Sequence, residues 1–124
     1  MKNIYLLIIL ISFGLQAQEI NWISFPEALE AQKKEPKKIF MDVYANWCGP
    51  CKLLDKYTFS NKDLIDYVNE NFYAVKFNGE GIEEIYFYDR VFNNPKYDPK
   101  RKGKNSSHEF TQFLGISAYP TMVF

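Results

Sequence analysis

The chain has 124 residues, which is the size of one domain. Hydrophobic residues make up 47% of it, enough for a packed core, and aromatic residues alone make up 18%. Lysine plus arginine and aspartate plus glutamate both number 15, so the net charge is zero and nothing in it favours nucleic acid or an anionic surface as a partner.

Residues 1–17 are predicted to be a secretory signal peptide. Lys2 gives a short positive start, Ile4 to Leu15 is mainly apolar, and Ala17 offers a small residue at a cleavage point. The alternative, a membrane anchor, needs about 20 apolar residues to span a bilayer, and this run is shorter. We therefore expect a mature chain that begins near Gln18, is periplasmic or secreted, and has no stable membrane span.

The first predicted helix runs from about Phe25 to Lys34. Ser24 and Glu27 have the spacing of a capping box, with a proline early in the first turn. Ala28 and Leu29 are expected to face inward. The helix should end before Pro36, because the residue before a proline avoids the helical conformation.

A central strand follows this helix and leads to the cysteine motif. The run Ile39 to Ala45 lacks apolar/polar alternation, as expected of a strand covered on both faces. It leads directly to the sequence WCGPC over residues 47–51, which holds both cysteines of the chain. A helix is predicted from about Cys48 to Tyr57.

A further helix and strand come next. Ser60 to Asp63 has the composition of a helix cap, with Leu64, Ile65 and Val68 on one face of the helix behind it. Residues 72–77 predict a strand. Because a strand, helices and another strand succeed one another, the two strands are expected to pair in parallel through a right-handed crossover.

Residues 79–105 are the unusual part of the chain. The aromatic-rich stretch from Ile85 to Phe92 could form a hairpin that turns near Asp89 and Arg90, or a short helix, and β propensity favours the hairpin. The stretch from Asn93 to Lys104 is polar, basic and rich in turn residues. The aromatic side chains could dock a partner or extend the core, and the sequence leaves both open.

The last stretch predicts one more helix and one more strand. Ser106 to Glu109 matches a capping box, so we expect a helix that ends at Leu114, before Gly115. His108, the only histidine, lies in this capping sequence and is expected at the surface rather than as a ligand. Thr121 to Phe124 begins a strand.

The cysteine pair is predicted to be redox-active. A helix N-terminus carries unpaired N–H groups and a partial positive charge, and both favour a thiolate at Cys48. Cys51, one turn on and expected to be the more covered, can resolve a mixed disulfide. A pair only three positions apart closes a tiny loop that would stabilise the fold little, so a purely structural disulfide is a poor explanation.

Three features together resemble the thioredoxin superfamily, and more narrowly its exported members: Asp42, WCGPCK over residues 47–52, and AYPT over residues 118–121. The resemblance covers about residues 22–124. It implies an α/β thioredoxin-like fold, a central mixed sheet flanked by helices, with residues 79–105 as an insertion. The family fold continues with another antiparallel strand and a final helix, so residues 18–124 are expected to be a C-terminally truncated domain.

The resemblance also implies roles for four polar residues. Cys48 is the attacking thiolate and Cys51 the resolving thiol. Asp42, a charge inside an apolar strand, is a buried proton acceptor for Cys51, the alternative being a member of a local hydrogen-bond network. Lys76 aligns with a lysine near that carboxylate, the alternative being an ordinary lysine with a buried stem.

The other implied site residues contact the substrate. The family proline at Pro120 is cis and faces the cysteines, so that Tyr119 before it can present its backbone to an extended substrate. Trp47 shields the disulfide and contacts substrates, unless it is a core aromatic. Gly49 and Pro50 form the pair that reducing members carry between their cysteines, which favours a reductase over an oxidase.

The sequence therefore predicts a thiol:disulfide oxidoreductase that reduces protein disulfides of exported clients. An unidentified electron donor would regenerate it, and no cofactor, metal or nucleic acid is expected. Two alternatives stay open: a Cu(I) site on the two thiolates, and a non-catalytic module that binds a partner through the aromatic insertion. A structural zinc site usually needs four nitrogen or sulfur ligands, and only one histidine accompanies the cysteines.

Overall fold

The computed structural model describes residues 18–124, and the predicted signal peptide lies outside this range. Strands and helices follow one another in the order β1 (Trp22–Ile23), α1 (Phe25–Lys34), β2 (Lys38–Tyr44), α2 (Gly49–Leu53), α3 (Lys62–Asn71), β3 (Phe72–Asn78), β4 (Ile85–Phe87), β5 (Arg90–Phe92), α4 (Glu109–Phe113) and β6 (Thr121–Val123). A π-helical turn, Leu54–Thr58, follows α2, so the helix predicted over residues 48–57 has two parts. Within residues 18–124, no helix has the length and apolar character that crossing a bilayer requires.

The main sheet is mixed, with the strand order β1-β3-β2-β6. β2 pairs in parallel with β3, from Lys38 opposite Phe72 to Tyr44 opposite Asn78. β1 is also parallel to β3, whereas β6 runs antiparallel to β2. The predicted α/β class and parallel pairing are confirmed. Because β2 has a partner on each side, its carboxyl end is a rigid point from which the cysteine motif departs.

Alternate residues of β2 face two different cores, since successive side chains of a strand point to opposite faces. Met41 and Val43 pack with α1, α4 and the hairpin of β4 and β5. Phe40 packs on the other face. Its cluster contains Ala74 of β3, two residues of α3 and two residues outside these elements: Ile65, Val68, Ile20 and Phe59. Asp42 points to the same face of β2 as Phe40.

The aromatic stretch forms the predicted hairpin. β4 and β5 are antiparallel, and the two-residue turn between them consists of Tyr88 and Asp89, with φ of 50° and 56°. The turn therefore comes one residue earlier than predicted. Ile85 and Phe92 are buried in the core, whereas Tyr86 on the opposite face is 61% exposed. One face of the hairpin extends the core, and the other is open to solvent.

His108 is buried, so the prediction of a surface position is wrong. It is the N-cap residue of α4, and Nδ1 accepts from the backbone N–H of Phe110 at 3.0 Å. Nε2 therefore carries the proton and donates to the carbonyl oxygen of Glu83 at 2.6 Å. The side chain can be wholly buried because both ring nitrogens have hydrogen-bond partners. The cap is His108 rather than Ser106, so the predicted capping box is also wrong.

Stability should fall as His108 becomes protonated. Burial lowers the pKa of His108, although the hydrogen bond to Glu83 and the charge of Glu109 oppose this. A lowered folded pKa means that the unfolded chain binds the proton more tightly, so stability present above about pH 6.5 is lost as pH falls towards the folded value. We expect a loss on the order of 1 kcal/mol between pH 7 and pH 5 in urea unfolding. His108→Asn, which keeps a capping oxygen, should flatten this dependence; the same slope in both proteins would contradict the assignment.

Candidate active site

The cysteines lie where the carboxyl end of β2 gives way to α2. Cys48 is the N-cap residue, and Cys51, in the first turn, is joined to it by a disulfide with Cα atoms 5.3 Å apart. The backbone N–H of Cys51 donates to Cys48 Sγ at 3.1 Å. After reduction the same N–H can stabilise negative charge on this sulfur, because the first N–H groups of a helix have no partners within it. This position is the one at which the motif predicts a stabilised thiolate.

Both cysteines are covered in the disulfide form. Cys48 is 1% exposed and Cys51 is 4% exposed, so the prediction that Cys51 is the more covered of the two is wrong for this state. Ala45 and the half-buried rings of Tyr44 and Tyr119 pack against the pair. Any difference in access between the two sulfurs must therefore arise after reduction or when a partner docks.

Trp47 lies at the rim of the site and is not a core aromatic. It is 38% exposed, and its ring meets that of Tyr119 edge-on with centroids 6.0 Å apart. Its Nε1 donates to Glu80 Oε2 at 2.5 Å, and Lys104 Nζ lies 4.8 Å from the ring centroid. Tyr119 thus lies between Trp47 and the disulfide. Glu80 and Lys104, both from the stretch 79–105, contact the indole of Trp47 as well.

The peptide bond between Tyr119 and Pro120 is cis, as predicted. Pro120 and Pro50 line an open apolar groove of about 430 Å³, together with Leu53, Leu54, Tyr57 and Thr58. Gly49 and Pro50, between the cysteines, are exposed. The groove therefore adjoins the cysteine pair and offers an apolar surface to a polypeptide that approaches it.

Asp42 is 1% exposed and is linked to the helix that carries Cys51. Its Oδ2 accepts from Lys76 Nζ at 2.6 Å, whereas its Oδ1 has no hydrogen-bond partner among residues 18–124. Lys76 Nζ also donates to Asp55, which follows Cys51 by one helical turn. Asp42 and Lys76 meet because they are register partners on the neighbouring strands β2 and β3, and their side chains therefore point to the same face of the sheet.

The charges around Lys76 perturb the protonation of Asp42. Burial raises the pKa of Asp42, although the hydrogen bond and charge of Lys76 oppose it. Burial alone would lower the pKa of Lys76, but hydrogen bonds to Asp42 and Asp55 outweigh it and raise that pKa. The lysine is thus held charged, while the carboxyl group takes up a proton more readily than a free aspartate. A buried group of this kind is suited to accepting a proton.

Asp55 and Glu80 were not among the predicted site residues. Asp55 forms an ion pair with Lys76 while keeping half of its side chain exposed. A signal for it existed in the sequence, because it follows Cys51 by four positions and residues so spaced share a helix face. Glu80 contacts Trp47 across 33 positions, and no local pattern could have indicated it.

Gly79 leaves no room for a side chain beside Tyr119. An added Cβ would overlap Tyr119 Cε1 and the neighbouring atoms of the same ring. We expect Gly79→Ala to displace the Tyr119 ring from Trp47 and to lower the free energy of unfolding by about 1–3 kcal/mol, as overpacking does. Urea unfolding measures the loss. Gly49→Ala is the matched control, because a Cβ there meets nothing within 4 Å; equal losses in the two variants would show that steric contact is not the cause.

The sequence of this chain is similar to a known domain family and to several known proteins. A model of the thioredoxin-like domain family matches residues 25–124. The chain is similar to the thioredoxin of Mycoplasmoides gallisepticum, 34% identical over 89 residues that make up 63% of this chain and 82% of the relative. It is also similar to the thiol:disulfide interchange protein DsbD of Pseudoalteromonas atlantica, 37% identical over 46 residues, which are 37% of this chain and 8% of that protein.

A third relative is spermatogenesis-associated protein 20 of Rattus norvegicus, 30% identical over 74 residues, which are 59% of this chain and 9% of the relative. The chain thus spans less than a tenth of the length of that protein and of the DsbD relative. The family match, in contrast, runs through the cysteine pair, the cis-proline and nearly all of the described fold. The chain belongs to the thioredoxin-like domain family.

Proposed function

We propose that this protein is an exported thiol:disulfide oxidoreductase that reduces protein disulfides through a dithiol–disulfide cycle of Cys48 and Cys51. The observation that carries the proposal is the hydrogen bond from the Cys51 N–H to Cys48 Sγ at the start of α2, since it favours a thiolate on the attacking sulfur. The names of two relatives, a thiol:disulfide interchange protein and a thioredoxin, agree with this class of reaction.

In the proposed cycle, the Cys48 thiolate attacks one sulfur of a client disulfide, forms a mixed disulfide and releases the first client thiolate. Cys51 gives its proton to Asp42 and attacks Cys48 Sγ, which expels the second client thiolate and closes the Cys48–Cys51 disulfide. Two electrons pass from this protein to the client. A dithiol donor outside this chain must then return the pair to the reduced form.

The proposed client contacts lie around the cysteines. An extended client segment pairs with the backbone of Tyr119, before the cis-proline, and places its side chains over Trp47 and the apolar groove at Pro50. Lys76 supports the reaction indirectly. Its ammonium group donates to the Asp42 carboxylate and so limits how far burial raises the pKa of Asp42.

We further propose that the protein acts in the reducing direction and that it is exported. Strongly oxidising members of the superfamily usually have a histidine between the two cysteines, which favours the thiolate further. This chain has Gly49 and Pro50 there instead, which supports the reducing direction. Export rests on residues 1–17, and a fusion of these residues to alkaline phosphatase, which is active only outside the cytoplasm, tests it. An inactive fusion would remove the exported location while leaving the chemistry untouched.

Reduction of insulin by dithiothreitol tests the activity itself. We expect the purified protein to accelerate the reaction and Cys48→Ser to abolish the acceleration. A rate equal to that of dithiothreitol alone would overturn the proposal. The Cu(I) alternative stays a prediction, and within residues 18–124 no three His, Cys, Asp or Glu side chains lie together as metal ligands.

A further inference from the structure

We propose that residues 96–104, here called the basic loop, form a docking surface for acidic segments of the protein whose disulfide is exchanged at Cys48 and Cys51. The inference rests on the proposed function and adds the chemical class of the client to it. It depends on the charge of the loop, on its defined shape, and on its attachment beside the disulfide.

The basic loop concentrates positive charge in a chain that is neutral overall. Five of its nine residues are basic and one, Asp98, is acidic, whereas the whole chain has 15 residues of each sign. The five basic side chains are exposed: Lys96, Lys100, Arg101, Lys102 and Lys104. None of them forms an ion pair with another residue of the range 18–124. Their charge is therefore available to a partner.

Hydrogen bonds give the basic loop a defined shape. Asn105, just after it, accepts from the N–H of Asp98 at 3.0 Å and donates to the carbonyl oxygen of Asp98 at 2.8 Å. The carboxylate of Asp98 accepts from the backbone N–H of Lys100 at 2.9 Å. The one acidic side chain of the loop is thus engaged with the backbone and forms no ion pair with the five basic residues of the range 96–104, so five positive charges and one negative charge leave the loop a net charge of +4.

Glu80 fastens the basic loop beside the disulfide. Its Oε1 accepts from the backbone N–H of Asn105 at 3.1 Å, and its Oε2 accepts from Trp47 Nε1. Lys104 Nζ lies over the same indole ring, and Trp47 directly precedes Cys48. Arg101 lines a small polar cleft of about 160 Å³ that also reaches Asn46 and Glu80. The unpaired cations therefore begin at the rim of the candidate active site.

An acidic polypeptide is the partner that fits this surface. A client must bring its disulfide to Cys48, so the rest of its chain has to pass over the neighbouring surface, part of which is the basic loop. Charge complementarity there should raise encounter rates, an effect that amounts to about 10–10³-fold at low ionic strength. An anionic membrane would meet the same charge, but residues 96–104 contain no helix whose apolar face could enter a bilayer and add to the electrostatic attraction.

The test uses three synthetic peptides, each with one internal disulfide, that differ only in flanking aspartate, asparagine or lysine residues. We expect the reduced protein to reduce the aspartate peptide about tenfold faster than the asparagine peptide at low ionic strength. The advantage should vanish at about 1 M salt, where the Debye length is about 3 Å. The neutral disulfide bis(2-hydroxyethyl) disulfide reports the intrinsic reactivity.

The decisive variant is K100E/R101E/K102E, in which the order of the aspartate and lysine peptides should reverse. Its matched control is K33E/K34E/K38E, which changes the charge equally at exposed positions near the opposite end of β2 and should keep the wild-type order. Both variants should reduce the neutral disulfide at the wild-type rate, which shows that they are folded and active.

Three results would overturn the inference. Equal rates with all three peptides, in a protein that reduces the neutral disulfide, would remove the docking surface and leave the proposed function standing. Failure to reduce any of the three peptides and the neutral disulfide would remove both. Binding to phosphatidylserine vesicles that K100E/R101E/K102E abolishes, without any preference among peptides, would assign the basic loop to a membrane surface instead.

Discussion

Cys51→Ser should convert the protein into a trap for its clients. Cys48 can still attack a client disulfide, but without the second thiol the mixed disulfide cannot be resolved within the protein. Turnover of insulin should fall to the uncatalysed rate, while disulfide-linked adducts accumulate through Cys48. Non-reducing electrophoresis and mass spectrometry of the adducts measure this outcome.

Cys48→Ser is the matched control for the trap. Cys51 lies inside the first turn of α2 and lacks the N-cap position, so it should form few adducts. Because the two cysteines are equally covered in the disulfide form, this comparison also reveals which sulfur becomes accessible on reduction. Adducts that form through Cys51 in Cys48→Ser, and not through Cys48 in Cys51→Ser, would reverse the assigned roles.

Asp42→Asn should slow the resolution step by about 10²-fold at neutral pH, the lower end of what general acid–base catalysis contributes. The amide cannot accept the proton of Cys51, whereas the hydrogen-bond geometry around Lys76 is nearly kept. Single-turnover release of the client thiol from a preformed mixed disulfide measures this step. Unchanged rates from pH 6 to pH 9 would remove Asp42 from the mechanism and leave it a structural role.

The same variant should be more stable than the wild type, which separates the kinetic role from a folding defect. Since burial raises the folded pKa of Asp42, the native state binds its proton more tightly than the unfolded chain does, and the group's contribution to stability is lost as pH rises through the folded pKa. Asp42→Asn avoids this loss, and Lys76 keeps Asp55 as a partner. We expect a gain of about 1 kcal/mol at pH 7 that disappears in acid. A loss at pH 7 would show that the ion pair is net stabilising.

Local signals in the sequence were enough for most of the fold. The N-cap half of the predicted capping box before α1 is confirmed, because Ser24 Oγ accepts from the N–H of Glu27 at 3.2 Å, and Ala28 is fully buried as predicted. The apolar run over residues 39–45 corresponds to β2, displaced by one residue. These features depend on neighbours in the chain, so patterns of residue type describe them well.

Features that depend on distant contacts were predicted poorly. His108 is buried because the carbonyl oxygen of Glu83, 25 positions away, accepts from its ring. In the same way, Asp55 enters the site through Lys76, 21 positions away. The cysteine pair and the cis-proline, in contrast, came from motifs that resemble a known family. The equal burial of the two cysteines depends on Tyr44 and Tyr119, and spacing within a motif carries no information on such cover.

The reduction potential of the Cys48–Cys51 pair decides whether this protein can act as a disulfide reductant. It is measured by equilibrating the protein with dithiothreitol and glutathione buffers and quantifying the free thiols. For a disulfide that cycles as a reductant, we expect a potential between about −270 and −200 mV, the range of thioredoxin and glutaredoxins. A potential near −120 mV would contradict the reducing direction, and one below about −300 mV, typical of structural disulfides, would contradict the redox role itself.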